Sequence, residues 1–139
     1  MTAVRGVRGA TTVEANDRGM ILAATRELLE QIVRLNRVAP ADVASVWFTA
    51  TPDLDAEFPA FAAREIGWTE VPLICGREIA VPGALDRCIR VLIHWNTDIT
   101  QSEVRHAFLH GARALRPQWA IDLSGDGPPT GACHNKEMK

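Results

Sequence analysis

Strict alternation of apolar and polar residues marks the strands of this chain. In the clearest one, from Cys88 to Trp95, one face carries Ile89, Val91, Ile93 and Trp95, and the other carries Cys88, Arg90, Leu92 and His94. The opening segment, Val4 to Val13, is similar, and alternation there places Arg8 opposite Val7. Gly6 and Gly9 interrupt it, which indicates a close approach to the backbone. SVWFTAT (45–51) and VPLIC (71–75) predict two further strands.

Apolar residues at helical spacing predict the helices. The first runs from Asp17 to Leu35, with Asn16 or Asp17 as its cap. A short helix follows at about 40–43, and another is predicted over 55–66 if Pro59 lies in its first turn. A capping box at Thr100 and Glu103, with an apolar stripe after it, predicts a last helix that ends at Pro117; the stripe contains Val104, Phe108, Gly111, Ala112 and Leu115.

The resulting order, β-α-β-α-β-β-α, predicts a small α+β domain built on one mixed sheet with its helices on one face. A length of 139 residues, 47% of them hydrophobic and 23% charged, fits a single domain, which we expect to span residues 1–123. Residues 124–139 contain three Gly, two Pro and almost nothing to bury. They predict a disordered C-terminal tail.

The charge balance and the cysteines exclude several classes of function. A net charge of −2 and a pI near 6.1 give no broad positive field, which disfavours binding to nucleic acid or to anionic membranes. No signal peptide or membrane span is apparent. The three cysteines show no CxxC spacing and predict neither disulfides nor a zinc site. We therefore expect a cytoplasmic protein.

Familiar catalytic machinery is missing from the sequence. It contains no GxSxG, HExxH, GxxxxGK or GxGxxG motif. His106 and His110 have a spacing that can hold a metal, but no acidic or cysteine partner shares their stripe, so we interpret them as solvent-facing residues of the last helix. Cys133 and His134 in the tail are a weaker pair still. We predict neither a metal nor a cofactor.

Arginines are the most distinctive chemical groups. Thirteen of the fifteen basic residues are Arg. Codon bias in a GC-rich genome explains most of these arginines. Some of them could instead bind a carboxylate or phosphate, because a guanidinium forms two parallel hydrogen bonds to such groups. Four stand out: Arg8, Arg64, Arg90 and Arg116. Arg90 lies in an apolar strand and must face either a buried acid or a ligand cavity, because an unpaired buried charge is costly. Glu78 is a candidate for that acid, or for a second polar group of the cavity.

Five segments together resemble the monofunctional chorismate mutases of the AroH class, in the same order and at matching separations. They are RGVRGATTVE (5–14), TATPDLDAEFPAFAARE (49–65), CGRE (75–78), CIRVLI (88–93) and ALRP (114–117), and the match spans about residues 3–121. The resemblance implies a trimeric pseudo-barrel, in which three subunits pack their sheets around an axis with active sites between neighbours. It also implies the conversion of chorismate to prephenate, on the route to phenylalanine and tyrosine.

The resemblance also implies roles for individual residues. Arg8 matches an arginine that holds a substrate carboxylate, and Arg90 one that reaches a carboxylate and the ether oxygen. Glu78 and Cys75 match groups that meet the ring hydroxyl. The cavity wall corresponds to Phe58, Ala60, Ile74 and Leu115, and cations near the mouth to Arg64 and Arg116. Two substrate-site positions depart from the family: Phe61 replaces a usual lysine and Phe108 a usual tyrosine.

This chemistry needs no acid, base or nucleophile, because a Claisen rearrangement moves no proton and forms no covalent adduct. Two other interpretations remain open at this stage. Small trimeric deaminases of enamines and imines share a similar architecture and also use an arginine, but TATPDL and CIRV do not resemble their sequences. A non-catalytic trimeric module that binds an aromatic acid would keep Arg8, yet would have no need for a cation at an ether oxygen.

Overall fold

The computed structural model describes residues 1–123, and the predicted tail, 124–139, lies outside them. Within that range the elements are β1 (Ala3–Thr12), α1 (Arg18–Asn36), β2 (Val43–Ala50), α2 (Ala60–Glu65), β3 (Leu73–Arg77), β4 (Cys88–Thr97) and β5 (Ala107–Phe108). Single 3₁₀ turns lie at Pro40–Asp42, Gln101–Glu103, His110–Ala114 and Pro117–Trp119. The four predicted strands are thus confirmed to within a few residues.

One mixed sheet organises the chain in the order β3-β2-β4-β1-β5. The central strand β4 is antiparallel to both β1 and β2, whereas β3 runs parallel to β2 and β5 runs parallel to β1. The two ten-residue strands, β1 and β4, pair along their whole length. The most regular part of the fold therefore lies at its centre.

Both helices cover the same face of the sheet, as the sequence predicts. The main core joins helix residues to strand residues, all fully or almost fully buried, and includes Leu28, Leu29, Ile32 and Ala63 with Val7, Val46, Phe48, Val91 and Ile93. A side chain at Gly9 would place its Cβ 2.9 Å from Ile32 Cδ1, so α1 is the close neighbour that this glycine indicates. Neither helix of the described residues is long and apolar enough to cross a membrane.

Helix α1 begins as expected, but α2 is shorter than expected. Asp17 caps α1 by accepting a hydrogen bond from the Met20 N–H at 2.9 Å. Asn16 instead accepts hydrogen bonds from the backbone N–H groups of Asp55 and Ala56, each at 3.0 Å. Those bonds hold the start of the predicted 55–66 helix in a loop, so α2 begins only after Pro59.

The predicted last helix over 104–115 is wrong. Its capping box forms, but the helix ends after one 3₁₀ turn because the segment satisfies its backbone groups elsewhere. The Asn36 amide bonds both the N–H and the carbonyl of Arg105, at 2.9 and 2.8 Å. Ala107 and Phe108 then pair with β1 as the edge strand β5. Pairing with the sheet overrides the helical spacing of the apolar residues.

Candidate active site

The face of the sheet opposite α1 and α2, here called the open face, carries the arginines. Arg8 is paired with Leu92, and Thr49 with Arg90, so these side chains project to the same side. They border a cavity of about 450 Å³, here called the arginine cleft. It is lined by Arg8, Trp47, Thr49, Glu78, Arg90, Val91, Leu92 and His94.

Arg90 and Glu78 are neighbours in the arginine cleft. Arg90 Nε lies 3.4 Å from Glu78 Oε2, which also accepts a hydrogen bond from the Thr49 hydroxyl. Arg90 Nε is buried and donates no hydrogen bond to any described residue, because its N–H is not directed at that oxygen. Both sequence interpretations therefore hold in part: Arg90 has an acidic neighbour, and its side chain also borders a cavity.

Several cations converge around Arg8. Burial lowers the pKa of Arg8, and the charges of Arg90 and Arg116 lower it further, while Glu78 acts in the opposite direction. Arginine stays protonated near pH 7, so the lowered pKa expresses the cost of burying the Arg8 charge and, after it, repulsion from the guanidinium groups of Arg90 and Arg116. An anion bound between them would relieve that repulsion. The arginine cleft is therefore suited to a negatively charged ligand.

A second cavity, here called the edge cleft, lies between α2 and β3. Its volume is about 460 Å³, and it is lined by Glu57, Phe58, Ala60, Phe61, Arg64, Leu73, Ile74 and Cys75. Burial raises the pKa of the Cys75 thiol, more than the backbone N–H of Ala60 lowers it. The thiol is neutral near pH 7 and can act as a weak hydrogen-bond donor.

The predicted site residues fall into two groups within one protomer. Arg8, Glu78 and Arg90 border the arginine cleft on the open face. Phe58, Ala60, Arg64, Ile74 and Cys75 border the edge cleft, beside α2 and the edge strand β3. Glu78 and Cys75, which are expected to meet one hydroxyl group, thus line different clefts of the same chain.

Phe108 and Leu115 belong to a small apolar cluster rather than to either cleft. Phe108 is completely buried, together with Ala10, Cys88 and Ala112, and Leu115 packs against the same group. The Arg8 Cζ atom lies 5.5 Å from the centre of the Phe108 ring. Phe108 therefore supports Arg8 from beneath through a cation–π contact.

The interpretation of His106 as a solvent-facing helix residue is wrong. His106 is half-buried, and its Nδ1 accepts a hydrogen bond from the Arg8 backbone N–H at 2.9 Å. Burial, followed by the charges of Arg8 and Arg116, lowers its pKa to about 4. His110 is exposed, on a 3₁₀ turn, with Nε2 2.9 Å from Glu27 Oε1. Within residues 1–123, no three His, Cys, Asp or Glu side chains are grouped to hold a metal.

Five residues that line the arginine cleft are absent from the predicted site set: Trp47, Thr49, Val91, Leu92 and His94. On β2, the side chains of Trp47 and Thr49 point to the face opposite that of Val46 and Phe48. His94 lies on the same face of β4 as Arg90. Alternation along SVWFTAT places Trp47 and Thr49 on the open face, and it is the signal that could have identified them. His94 is already on the correct face by the same rule.

A family model described as chorismate mutase type I matches residues 4–119. The chain belongs to the chorismate mutase type I family. The matched range contains all the residues that line the two clefts. The resemblance carried by the five sequence segments is confirmed.

Similar proteins agree with this membership over most of the chain. The chain is 45% identical to chorismate mutase AroH of Bacillus subtilis (strain 168) over 119 residues, which is 85% of this chain and 94% of that protein. It is 51% identical to chorismate mutase AroH of Thermus thermophilus over 115 residues, or 82% and 94% of the two chains. A solved chorismate mutase from Clostridium thermocellum superposes with a TM-score of 0.78 at 47% identity, covering 78% of this chain and 97% of that one. The mixed-sheet fold is therefore confirmed.

Proposed function

We propose that this protein converts chorismate to prephenate in the biosynthesis of phenylalanine and tyrosine. The observation that carries the proposal is Arg90, which lines the arginine cleft beside Arg8 and whose buried Nε donates to no described residue. Membership of the chorismate mutase family indicates the reaction, and Arg8, Glu78 and Arg90 on the open face are the charged groups that support it. We expect the reaction to proceed in the cytoplasm without a cofactor.

Chorismate is a flexible dianion that must adopt a compact, chair-like shape before it rearranges. Holding both ends in that shape removes an entropic part of the barrier that is worth several kcal/mol. Two observations support a role for Arg8 in binding one carboxylate: it lines the arginine cleft, and its backbone is fixed within β1. Its charge-assisted hydrogen bonds would compensate for the hydroxyl that Phe108 lacks.

Arg90 would stabilise the transition state more than the substrate. The C–O bond breaks ahead of C–C bond formation, so negative charge grows on the ether oxygen, and a fixed cation there lowers the barrier. Glu78, which accepts a hydrogen bond from the Thr49 hydroxyl, lies beside Arg90 on one side. Glu78 would also accept a hydrogen bond from the ring hydroxyl and favour the positive charge that develops on the ring fragment.

We further propose a homotrimer in which the edge cleft of one subunit faces the arginine cleft of the next. Two observations support this arrangement. The predicted site residues are divided between two clefts in one protomer. Apolar side chains at both clefts are also strongly exposed, with Trp47 at 48%, Ile74 at 51% and Phe58 at 69%. A cyclic assembly would cover them and complete each site.

Mixing two inactive variants tests the shared site. Arg90→Ala disables the arginine cleft, and Ile74→Trp fills the edge cleft. If each site takes one cleft from each of two subunits, equal mixing and reassembly should restore about a quarter of the wild-type activity, because one in four random pairings is intact. No recovery, or a monomer in sedimentation, would refute the shared site.

Loss of the ultraviolet absorbance of chorismate on addition of the purified protein tests the reaction itself. Turnover to prephenate, unaffected by a chelator, is the expected result. A deaminase would leave chorismate intact, and a binding module would shift a binding signal without turnover. Either result would overturn the proposed function, and recovery of activity by one added metal after chelation would overturn its cofactor-free form.

A further inference from the structure

Arg116 lies against an aromatic stack whose function the proposed mechanism leaves open. Its Cζ atom is 3.8 Å from the centre of the Trp119 ring. Trp119 also contacts two other rings: its ring centre lies 3.9 Å from that of His106 and 5.7 Å from that of Phe108. The guanidinium thus covers one aromatic ring, and two further rings support that ring.

Gln118 holds the same guanidinium at its edge. With its amide oxygen turned toward Arg116, it accepts hydrogen bonds from Nε at 2.9 Å and from Nη2 at 2.8 Å. The face of the guanidinium is therefore in contact with Trp119, and its Nε edge is bound by Gln118. Together these contacts fix the orientation of a side chain that is otherwise flexible.

The segment that carries these residues is fixed to the sheet. The Trp119 N–H donates to the Arg116 carbonyl at 2.8 Å and closes the Pro117–Trp119 turn. Directly after it, the Ile121 N–H donates to the Phe108 carbonyl at 3.0 Å. Phe108 belongs to β5, which pairs with β1. The orientation of Arg116 is thus defined relative to the strand that carries Arg8.

The stack also borders the substrate region proposed above. Trp119 and His106 line a cavity of about 640 Å³ that includes Arg8 and Leu92. Those two residues line the arginine cleft as well, so the two cavities adjoin. The charge of Arg116 lowers the pKa of both Arg8 and His106, which places it within electrostatic reach of this region.

We propose that Trp119 and Gln118 are positioning residues that hold Arg116 in the orientation in which it binds a carboxylate of the substrate. The inference rests on the proposed function, because it gives Arg116 a substrate carboxylate as its ligand. His106, which is neutral near pH 7, supports the Trp119 ring without adding a second positive charge to the stack.

Steady-state kinetics with chorismate test the inference. Trp119→Leu should raise KM about three- to tenfold, the size expected from loss of a cation–π contact, with kcat within about twofold of wild type. Trp119→Phe keeps a ring and should retain most of the affinity. Gln118→Ala should raise KM about two- to threefold. In an Arg116→Gln background, Trp119→Leu should raise KM no further.

Arg113→Gln is the matched control, because it removes an equal charge from an exposed residue on the neighbouring 3₁₀ turn. Its KM should stay within about twofold of wild type. An unchanged KM in Trp119→Leu, or an equal rise of KM in the Arg116→Gln background, would overturn the inference. If Trp119→Leu does not fold, an unchanged KM in Gln118→Ala decides against it. A wild-type protein without turnover would instead refute the proposed function.

Discussion

The two faces of the sheet are built from the same strands and differ in almost every property. On the covered face, Val7, Phe48 and Ile93 are completely buried beneath the helices. On the open face, the same strands present Arg8, Trp47 and Arg90, which are wholly or partly accessible. A strand of alternating side chains thus serves two purposes, since each catalytic candidate has a core residue next to it.

This arrangement gives the open face its rigidity. Cations at a site are effective only when their positions are fixed before the substrate binds, because reorientation during the reaction would cancel part of the stabilisation. Arg8 and Arg90 lie on β1 and β4, the two fully paired central strands, whose other face is held by the core. Changes on the open face should therefore alter kinetics, and changes on the covered face should alter stability.

Arg8→Ala should have the largest effect among the predictions that test this contrast. Removing its charge-assisted hydrogen bonds should raise KM by about 10- to 100-fold, from about 1.5–3 kcal/mol of lost binding. The melting temperature should change little, because Arg8 contributes no large apolar burial. Arg34→Ala, which removes an exposed arginine of α1, is the control and should leave KM unchanged. A large loss of stability in Arg8→Ala would break the contrast.

Gly9→Ala should have the opposite profile. The added Cβ would lie 2.9 Å from Ile32 Cδ1 and 3.1 Å from Leu28 Cδ1, so the free energy of unfolding should fall by about 1–3 kcal/mol. Gly6→Ala is its match on the open face of the same strand, where the nearest atom is 3.7 Å away, and should be close to neutral. Urea denaturation of both variants measures the difference. Equal stabilities would show that α1 does not restrict Gly9.

His106 predicts a dependence of stability on pH. Its pKa of about 4 in the folded protein lies below the ordinary value of 6.5, mainly because it is buried. The unfolded chain therefore binds more protons between these values, and stability should fall as the pH decreases from 6.5 toward 4. His106→Asn keeps an acceptor for the Arg8 N–H and should weaken that dependence in urea titrations. Parallel curves for the two proteins would contradict the assignment.

Phe61→Lys should have the smallest effect. Phe61 is 38% exposed at the edge cleft, at the position where the family resemblance implies a lysine. A cation there should lower KM by about two- to threefold at low salt, since an exposed charge pair contributes at most about 1 kcal/mol. The gain should disappear at high ionic strength. Phe61→Met is the uncharged control, and an equal improvement in it would exclude an electrostatic cause.

Local patterns are sufficient to predict β1, β4 and α1, because in each of them the periodic pattern of apolar residues continues over many residues and has a clear boundary. The segment 104–115 could not be predicted correctly from its own sequence. Its apolar spacing fits a helix, but Asn36 and β1 lie 69 and about 98 residues away in sequence and determine its structure. Likewise, only the hydrogen bonds that the Asp55 and Ala56 N–H groups donate to Asn16 reveal why α2 starts late.

The candidate site, like the fold, could be predicted where local patterns determine it and not where distant parts of the chain do. Alternation places Arg8 and Arg90 on faces opposite the core, and the family resemblance supplies their roles. The stack of Arg116 on Trp119 has no such signal, because it depends on a turn that returns the chain to β5. The division of the site residues between two clefts depends on the position of β3 at the sheet edge, which no sequence pattern indicates.

The most direct test of the account is the kinetics of a protein in which citrulline replaces Arg90. Citrulline keeps the shape of the side chain and most of its hydrogen bonds but removes the positive charge. We expect kcat to fall by at least about 10²–10³, the loss associated with one preorganised group at a developing oxyanion, and KM to rise much less. An unchanged kcat with a raised KM would show that Arg90 only anchors the substrate, and would contradict electrostatic stabilisation of the transition state.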